Sequence, residues 1–150
     1  MNDHDLGDLG VVTFEHVHPA PRELVFECMT TPHHLSRFFG PPGISAPLEL
    51  IEIEPWPGGA WNITMVNDET AEQYPNRGEC VEFEVPSRLV CREPDVGDMT
   101  TAIDFIDRGD GTTLCVTTQT NVPAAYRTAE AQAGMHAAFA ELDRYLSTLT

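Results

Sequence analysis

The segment 128–149, TAEAQAGMHAAFAELDRYLSTL, carries the longest amphipathic pattern in the chain. Its large apolar residues recur at alternating steps of four and three: Met135, Phe139, Leu142, Leu146 and Leu149. At about 100° per residue these side chains form a stripe roughly 80° wide along one side of a helix. Because no Gly or Pro follows Gly134 within the segment, the pattern predicts one long helix whose apolar side must be covered by the rest of the chain.

The sequence before this helix is rich in strand patterns separated by turns. Runs of β-branched and aromatic residues, or of alternating apolar and polar residues, predict strands at 11–17, 48–54, 61–65, 79–84, 88–92, 99–107 and 112–120. The turn RGDG at 108–111 marks a hairpin between the last two strands. After the first strand, two short helices are predicted at 22–29 and 33–39, with Pro21 and Pro32 at positions where a helix tolerates proline.

This order of elements predicts an α+β fold in which a curved antiparallel sheet wraps around the C-terminal helix. The helix spans about 30 Å, close to the width of a sheet of about seven strands. A sheet that curls around a straight helix does not contact it closely along its whole length, so we expect a cavity between them. Residues 1–150 are expected to form a single domain with six to seven strands, and residues 1–10 are expected to be flexible.

The balance of charge argues against two classes of partner. The chain of 150 residues has 24 acidic and 8 basic residues, a formal net charge of −16, which disfavours binding to nucleic acid and to anionic membranes. The N-terminal residues contain no apolar run of the kind found in signal peptides, and no segment approaches the roughly 20 apolar residues of a membrane helix. A cytoplasmic location is therefore expected, with Cys28, Cys80, Cys91 and Cys115 as reduced thiols.

Five short motifs, taken together in their order, resemble a known family. They are FFGP at 38–41, EPWPGGAW at 54–61, GECVEF at 78–83, PSRLV at 86–90 and GTTL at 111–114. Over about 11–149 the chain resembles the activator-of-Hsp90-ATPase-homologue group of START-like (SRPBCC, Bet v 1-like) helix-grip domains. It departs from the family pattern at Trp56, where arginine is usual, at Phe38 or Phe39, which replace a tryptophan, and at Met135, which replaces an aromatic residue.

The resemblance implies a helix-grip fold that holds a lipid, a polyketide or another apolar molecule between sheet and helix. Binding of a small hydrophobic ligand without a catalytic set is therefore the leading hypothesis. Two alternatives remain open. Some relatives on this fold are polyketide cyclases or hydrolases, and eukaryotic members, which carry an additional domain, stimulate the Hsp90 ATPase. A chaperone-associated or stress-related interaction protein is thus the third hypothesis.

The ligand-binding hypothesis nominates side chains on the strand face towards the helix, on the helix and at the mouth between them. Core packing is the alternative role for each residue. The polar groups expected to orient a ligand are Thr117, Thr118, Gln119 and Tyr126. The predicted lining residues are Phe38, Phe39, Trp61, Ile63, Met65, Val81, Phe83, Ile103, Phe105, Val116, Thr118, Met135, Phe139 and Leu142.

Neither a metal site, nor a cofactor, nor a catalytic set is predicted. His16 and His18 share one face of the first strand, as metal ligands can, but no third ligand follows nearby, and a solvated surface is the favoured role. No G-x-S-x-G motif is present, and no acidic residue is predicted to face inward. An enzymatic activity is thus left undecided but disfavoured, and the sequence does not decide between a monomer and a homodimer.

Overall fold

The computed structural model describes residues 8–149, which form nine strands and three α-helices. In chain order these are β1 (Leu9–His18), α1 (Arg22–Thr30), α2 (Pro32–Phe38), β2 (Ile44–Ser45), β3 (Ile51–Ile53), β4 (Trp61–Asn67), β5 (Gln73–Asn76), β6 (Glu79–Glu84), β7 (Arg88–Glu93), β8 (Met99–Asp107), β9 (Thr113–Pro123) and α3 (Ala129–Leu149). Single 3-10 turns precede β3 and α3.

The strands form a five-stranded sheet in the order β1-β9-β8-β7-β6 and a smaller group in which β2, β3 and β5 pair with β4. Every pairing is antiparallel, and a bridge between Ala60 and Glu79 joins the smaller group to β6. The predicted α+β fold with two short helices and a long C-terminal helix is confirmed. The strand count exceeds the predicted six to seven because β2 and β5 are short strands with weak patterns of their own, which pair with β4.

The register of the large sheet aligns residues of different strands on one surface. Phe14, Thr117, Ile103 and Leu89 lie opposite one another across β1, β9, β8 and β7, and all are buried. Because side chains alternate along a strand, residues two positions away on each strand lie on the same surface. We call this surface the inner face of the sheet.

The main core lies between the inner face and three helical segments. Val25 and Phe26 of α1 and Leu142 and Leu146 of α3 pack with Phe105, which is 1% exposed. A second cluster joins α2 to β4 through Leu35, Ala46 and Ile63, with Phe38 and Phe39 packed against it. The second half of α3 and the two small helices therefore cover the part of the inner face that includes Phe105.

The N-terminal segment departs from the prediction in the part that the structure describes. Residues 1–10 are predicted to be flexible, yet β1 begins at Leu9, and Gly10 pairs with Val122 of β9. The guanidinium of Arg127 donates a hydrogen bond of 2.7 Å to the backbone oxygen of Asp8. This pairing orders 8–10, and the remainder of the predicted segment lies outside the described residues.

None of the helices in residues 8–149 combines the length and apolar character needed to cross a lipid bilayer.

Candidate functional site

Helix α3 lies along the edge strand β1. The Phe139 ring is 5.2 Å from the His16 ring and 6.0 Å from the Phe14 ring, measured between centroids. The His136 ring is 5.7 Å from the Phe14 ring. The aromatic contacts therefore fix α3 on the inner face at the β1 side of the sheet.

The apolar stripe of α3 is buried over only part of its length. The buried residues of the helix are Phe139 at its midpoint and Leu142 and Leu146 in its second half. Met135 and Ala131 continue the apolar side into the first half, but they are only half-buried. The first half of α3 thus presents an apolar side that the described residues do not seal.

Opposite this half of the helix, the inner face becomes more polar. The row of residues beyond Phe14 consists of Val12, Gln119, Thr101 and Cys91, aligned across β1, β9, β8 and β7. The amide of Gln119 donates to the hydroxyl of Thr101 over 3.2 Å. The next pair on β7 and β8 is Glu93 with Met99. We call these six residues, most of them half-buried, the open end of the inner face.

Glu93 is an acidic residue on the inner face, which the sequence analysis did not predict. It follows Leu89 and Cys91 at steps of two, so its side chain lies on their side of β7. Burial raises the pKa of the Glu93 carboxyl above its ordinary value, with a smaller opposing effect from the Asn76 side chain. The alternation that begins at Leu89 could have predicted that Glu93 faces inward. However, Glu93 follows Arg92 at the end of the strand, and a charged pair there usually indicates a turn.

Most of the predicted lining residues are core residues. They form or pack against the two apolar clusters: Phe38, Phe39, Trp61, Ile63, Met65, Phe83, Ile103, Phe105 and Leu142. Phe139 is buried against β1, and Met135 lies in the unsealed first half of α3. Of the polar groups expected to orient a ligand, Thr117 and Gln119 are on the inner face.

The predicted orientation of three lining residues is wrong. Val116 aligns with Glu15 and Asp104, so Val116 and Thr118 point away from the helix, on the outer face. A shift of one residue along β9 exchanges its two faces, and the sequence did not fix that register. Val81 is 40% exposed because a bulge between Cys80 and Glu82 interrupts the alternation of β6, which places Cys80 on the inner face instead.

Two surface hollows lie outside the space between α3 and the inner face. One, of about 350 Å³, lies between the end of α2, residues 39–45 and α3, where it reaches Glu141 and Arg144. The other, of about 290 Å³, lies beside the Gly58-Gly59 turn and is lined mainly by polar groups and glycine backbone. Both are open to solvent. At the predicted position of the cavity, the described residues place the half-buried apolar side of α3 next to the open end.

A cluster of two histidines and one aspartate lies between β1 and α3. Nε2 of His16 is 2.7 Å from one carboxylate oxygen of Asp143, and Nδ1 of His18 is 2.6 Å from the other. The pKa of His18 lies below its ordinary value, chiefly because the ring is buried, whereas the Asp143 carboxylate acts in the opposite direction. The prediction that this histidine pair is solvated surface is wrong, because His18 is 1% exposed and α3 covers it.

Sequence reasoning missed this cluster because its third member comes from the far end of the chain. Asp143 is separated from His18 by 125 positions. At about 100° per residue it lies roughly 80° from the centre of the apolar stripe of α3. That marginal position was the only signal that this carboxylate could face the sheet.

A long C-terminal helix against one face of an antiparallel sheet, with two small helices after the first strand, defines the helix-grip class of α+β domains, a ligand-binding fold. The chain belongs to the family of activator of Hsp90 ATPase homolog 1-like proteins, whose pattern matches residues 19–147. The resemblance predicted from the five sequence motifs is confirmed. None of the curated proteins matches the sequence.

Solved structures share the fold over nearly the whole chain. A protein from Rhodobacter sphaeroides has a TM-score of 0.81 at 20% identity, covering 94% of this chain and 95% of that one. A protein from Nitrosomonas europaea has a TM-score of 0.78 at 21% identity, with 93% and 95% covered. An AHSA1-like protein from Aeromonas hydrophila has a TM-score of 0.81 at 17% identity, with 93% of each chain covered. At these identities the similarity shows the fold alone.

Proposed function

We propose that the chain binds a small, mostly apolar molecule of lipid or polyketide type between the first half of α3 and the open end of the inner face. The observation that carries the proposal is the uneven packing of α3. Its second half is buried in the core, whereas Met135 and Ala131 in its first half stay half-buried. Membership of a family with a ligand-binding fold supports the binding of a ligand.

The composition of this location matches that of small-molecule sites. Met135, Ala131 and Cys91 supply apolar surface along the helix and the strands. Gln119 and Thr101 supply hydrogen-bonding groups beside it. Pockets for small molecules combine such an apolar lining with a few polar groups that orient the ligand. The first half of α3 is about 15 Å long, which sets the length of apolar molecule that fits along it.

A neutral fluorescent probe tests the proposal. N-phenyl-1-naphthylamine is suitable because a protein with a formal charge of −16 repels the anionic probes in common use. We expect saturable enhancement of its fluorescence at one probe per chain, and displacement by a long-chain alcohol. Enhancement that never saturates, or that a long-chain alcohol leaves unchanged, would contradict a defined site.

Replacing Met135 with tryptophan is expected to weaken probe binding about tenfold or more, which corresponds to roughly 1.4 kcal/mol. The larger side chain is expected to fill part of the proposed site, because Met135 is half-buried on the apolar side of α3. The matched control is Ala133→Trp, in the same half of the helix but exposed to solvent. Fluorescence titration of both variants gives the comparison. Equal affinities of the two variants would place the probe elsewhere.

An acid–base enzyme on the same fold is the second candidate, and Glu93 is the observation that favours it. A carboxyl acts as an efficient general acid or base at neutral pH when its pKa lies above its ordinary range. Burial has this effect on the pKa of Glu93, which is part of the open end. The titration of this one side chain therefore tests a precondition for catalysis.

Replacing Glu93 with glutamine is expected to stabilise the protein at neutral pH and to have little effect near pH 4. A raised pKa means that the folded state prefers the protonated carboxyl. The resulting stabilisation is complete below the ordinary pKa of 4.5 and is lost as the pH rises through the folded-state value. Urea unfolding of both proteins across this range measures the effect. The exposed Glu69→Gln removes the same charge and is expected to show no comparable gain at neutral pH.

A further inference from the structure

Two elements that are distant in sequence bring three potential metal ligands together. His16 and His18 lie at alternate positions on the inner face of β1, and Asp143 reaches them from α3. The two carboxylate oxygens of Asp143 contact different rings. One oxygen is 2.7 Å from His16 Nε2, and the other is 2.6 Å from His18 Nδ1. The ligating atoms of the three residues all lie within 4.8 Å of one another.

We propose that His16, His18 and Asp143 form a binding site for one divalent transition-metal ion of the Zn²⁺ class. Two imidazole nitrogens and one carboxylate oxygen are a donor set that Zn²⁺, Co²⁺ and related ions prefer, whereas Mg²⁺ and Ca²⁺ prefer oxygen ligands alone. Three protein ligands leave at least one coordination position for water or a small ligand. This site is separate from the proposed ligand site and does not depend on it.

To admit the ion, the side chains must move apart by less than an ångström at each of the two hydrogen bonds. Metal–ligand distances of about 2.0–2.1 Å at tetrahedral angles place two ligand atoms roughly 3.3 Å apart. The present separations of 2.6 and 2.7 Å must therefore increase by about 0.6–0.7 Å, and the ligand nitrogens of the two rings, which lie within 4.8 Å of each other, must reach a similar distance. The side chains of His16 and Asp143 are 25% and 29% exposed, so both can move and both leave a path for the ion. The buried ring of His18 provides the fixed ligand.

The surroundings also favour a bound cation. The Phe139 ring packs at 5.2 Å from the His16 ring and 6.2 Å from the His18 ring, which shields one side of the cluster from water. The formal net charge of −16 raises the local concentration of cations around the protein. A second pair of neighbouring histidines, His33 and His34, differs from this cluster. Among the described residues no carboxylate bridges the rings of His33 and His34.

Titration of the tag-free, chelator-treated protein with Zn²⁺ in a calorimeter, and with Co²⁺ followed by visible absorption, tests the proposal. We expect one ion per chain. Asp143→Asn keeps the shape of the side chain but removes its charge, and it is expected to weaken binding about 100-fold or more, as is His16→Gln. The control His33→Gln removes an exposed histidine and is expected to bind as the parent protein does.

A second measurement uses the unaltered protein, so its result does not depend on whether the variants fold. Paramagnetic Co²⁺ is expected to shift the NMR signals of the His16 and His18 rings before those of His33 and His34. Absence of binding at millimolar metal would overturn the proposal. So would first shifts at His33 and His34, or folded Asp143→Asn protein that binds with the affinity of the parent.

Discussion

Replacing Phe105 with alanine is expected to lower the free energy of unfolding by about 3–5 kcal/mol. The side chain is 1% exposed and lies in the main cluster, where its ring centroid is 5.0 Å from that of Phe26. The cost combines the lost burial of the ring with the cavity that remains, because the surrounding strands and helices can close it only in part. Since small domains are stable by only about 5–15 kcal/mol, this variant is expected to be near the limit of folding.

The neighbouring residue on the same strand provides the control. Ile106 points to the outer face and is 44% exposed, so Ile106→Ala is expected to change the stability by about 1 kcal/mol at most. Urea unfolding followed by circular dichroism measures both variants. Equal losses would mean that the ring of Phe105 is not at the centre of the core.

The sequence predicted most elements correctly because their signals are local. Alternation of apolar and polar residues located β6 and β8 with the bounds that the structure has. Steps of three and four located α3 within one residue. Which side chains of a strand face the helix was harder to predict, because this depends on the register in which the strand pairs with neighbouring strands. Val116 and Thr118 are on the outer face for this reason, although β9 itself was predicted.

The functional residues were harder to predict than the fold. The lining residues Phe105 and Leu142 were identified as inward-facing, but whether a space exists next to them depends on how all the side chains pack. Asp143 joins His16 and His18 only after α3 has docked on β1, so no local pattern reports the contact. Pairing of elements far apart in sequence determines such clusters.

The two glycines of the EPWPGGAW motif differ in what a side chain would meet. Gly58 has a φ of +88°, and a Cβ atom there would have no neighbour within 4 Å. Gly59 lies against the backbone of the preceding residues. A Cβ on Gly59 would overlap the backbone oxygen of Glu54 and would be 2.7 Å from the Cβ of Glu54 and 2.9 Å from the backbone oxygen of Trp56. Gly58 is therefore required for its backbone conformation, and Gly59 for its lack of volume.

Replacing Gly59 with alanine is expected to cost about 3 kcal/mol or more, and replacing Gly58 about 1–2 kcal/mol. The Gly59 clash involves backbone atoms, and relieving it must disturb the hydrogen bonds of 2.8 Å that join Gly59 to Cys80 and Gly58 to Cys80. These bonds connect the turn to the start of β6, so the damage is expected to spread from the turn into the sheet. Gly58→Ala adds only the penalty of a left-handed conformation. Urea unfolding of both variants separates the effects, and a Gly58→Ala loss equal to or larger than that of Gly59→Ala would contradict the steric argument.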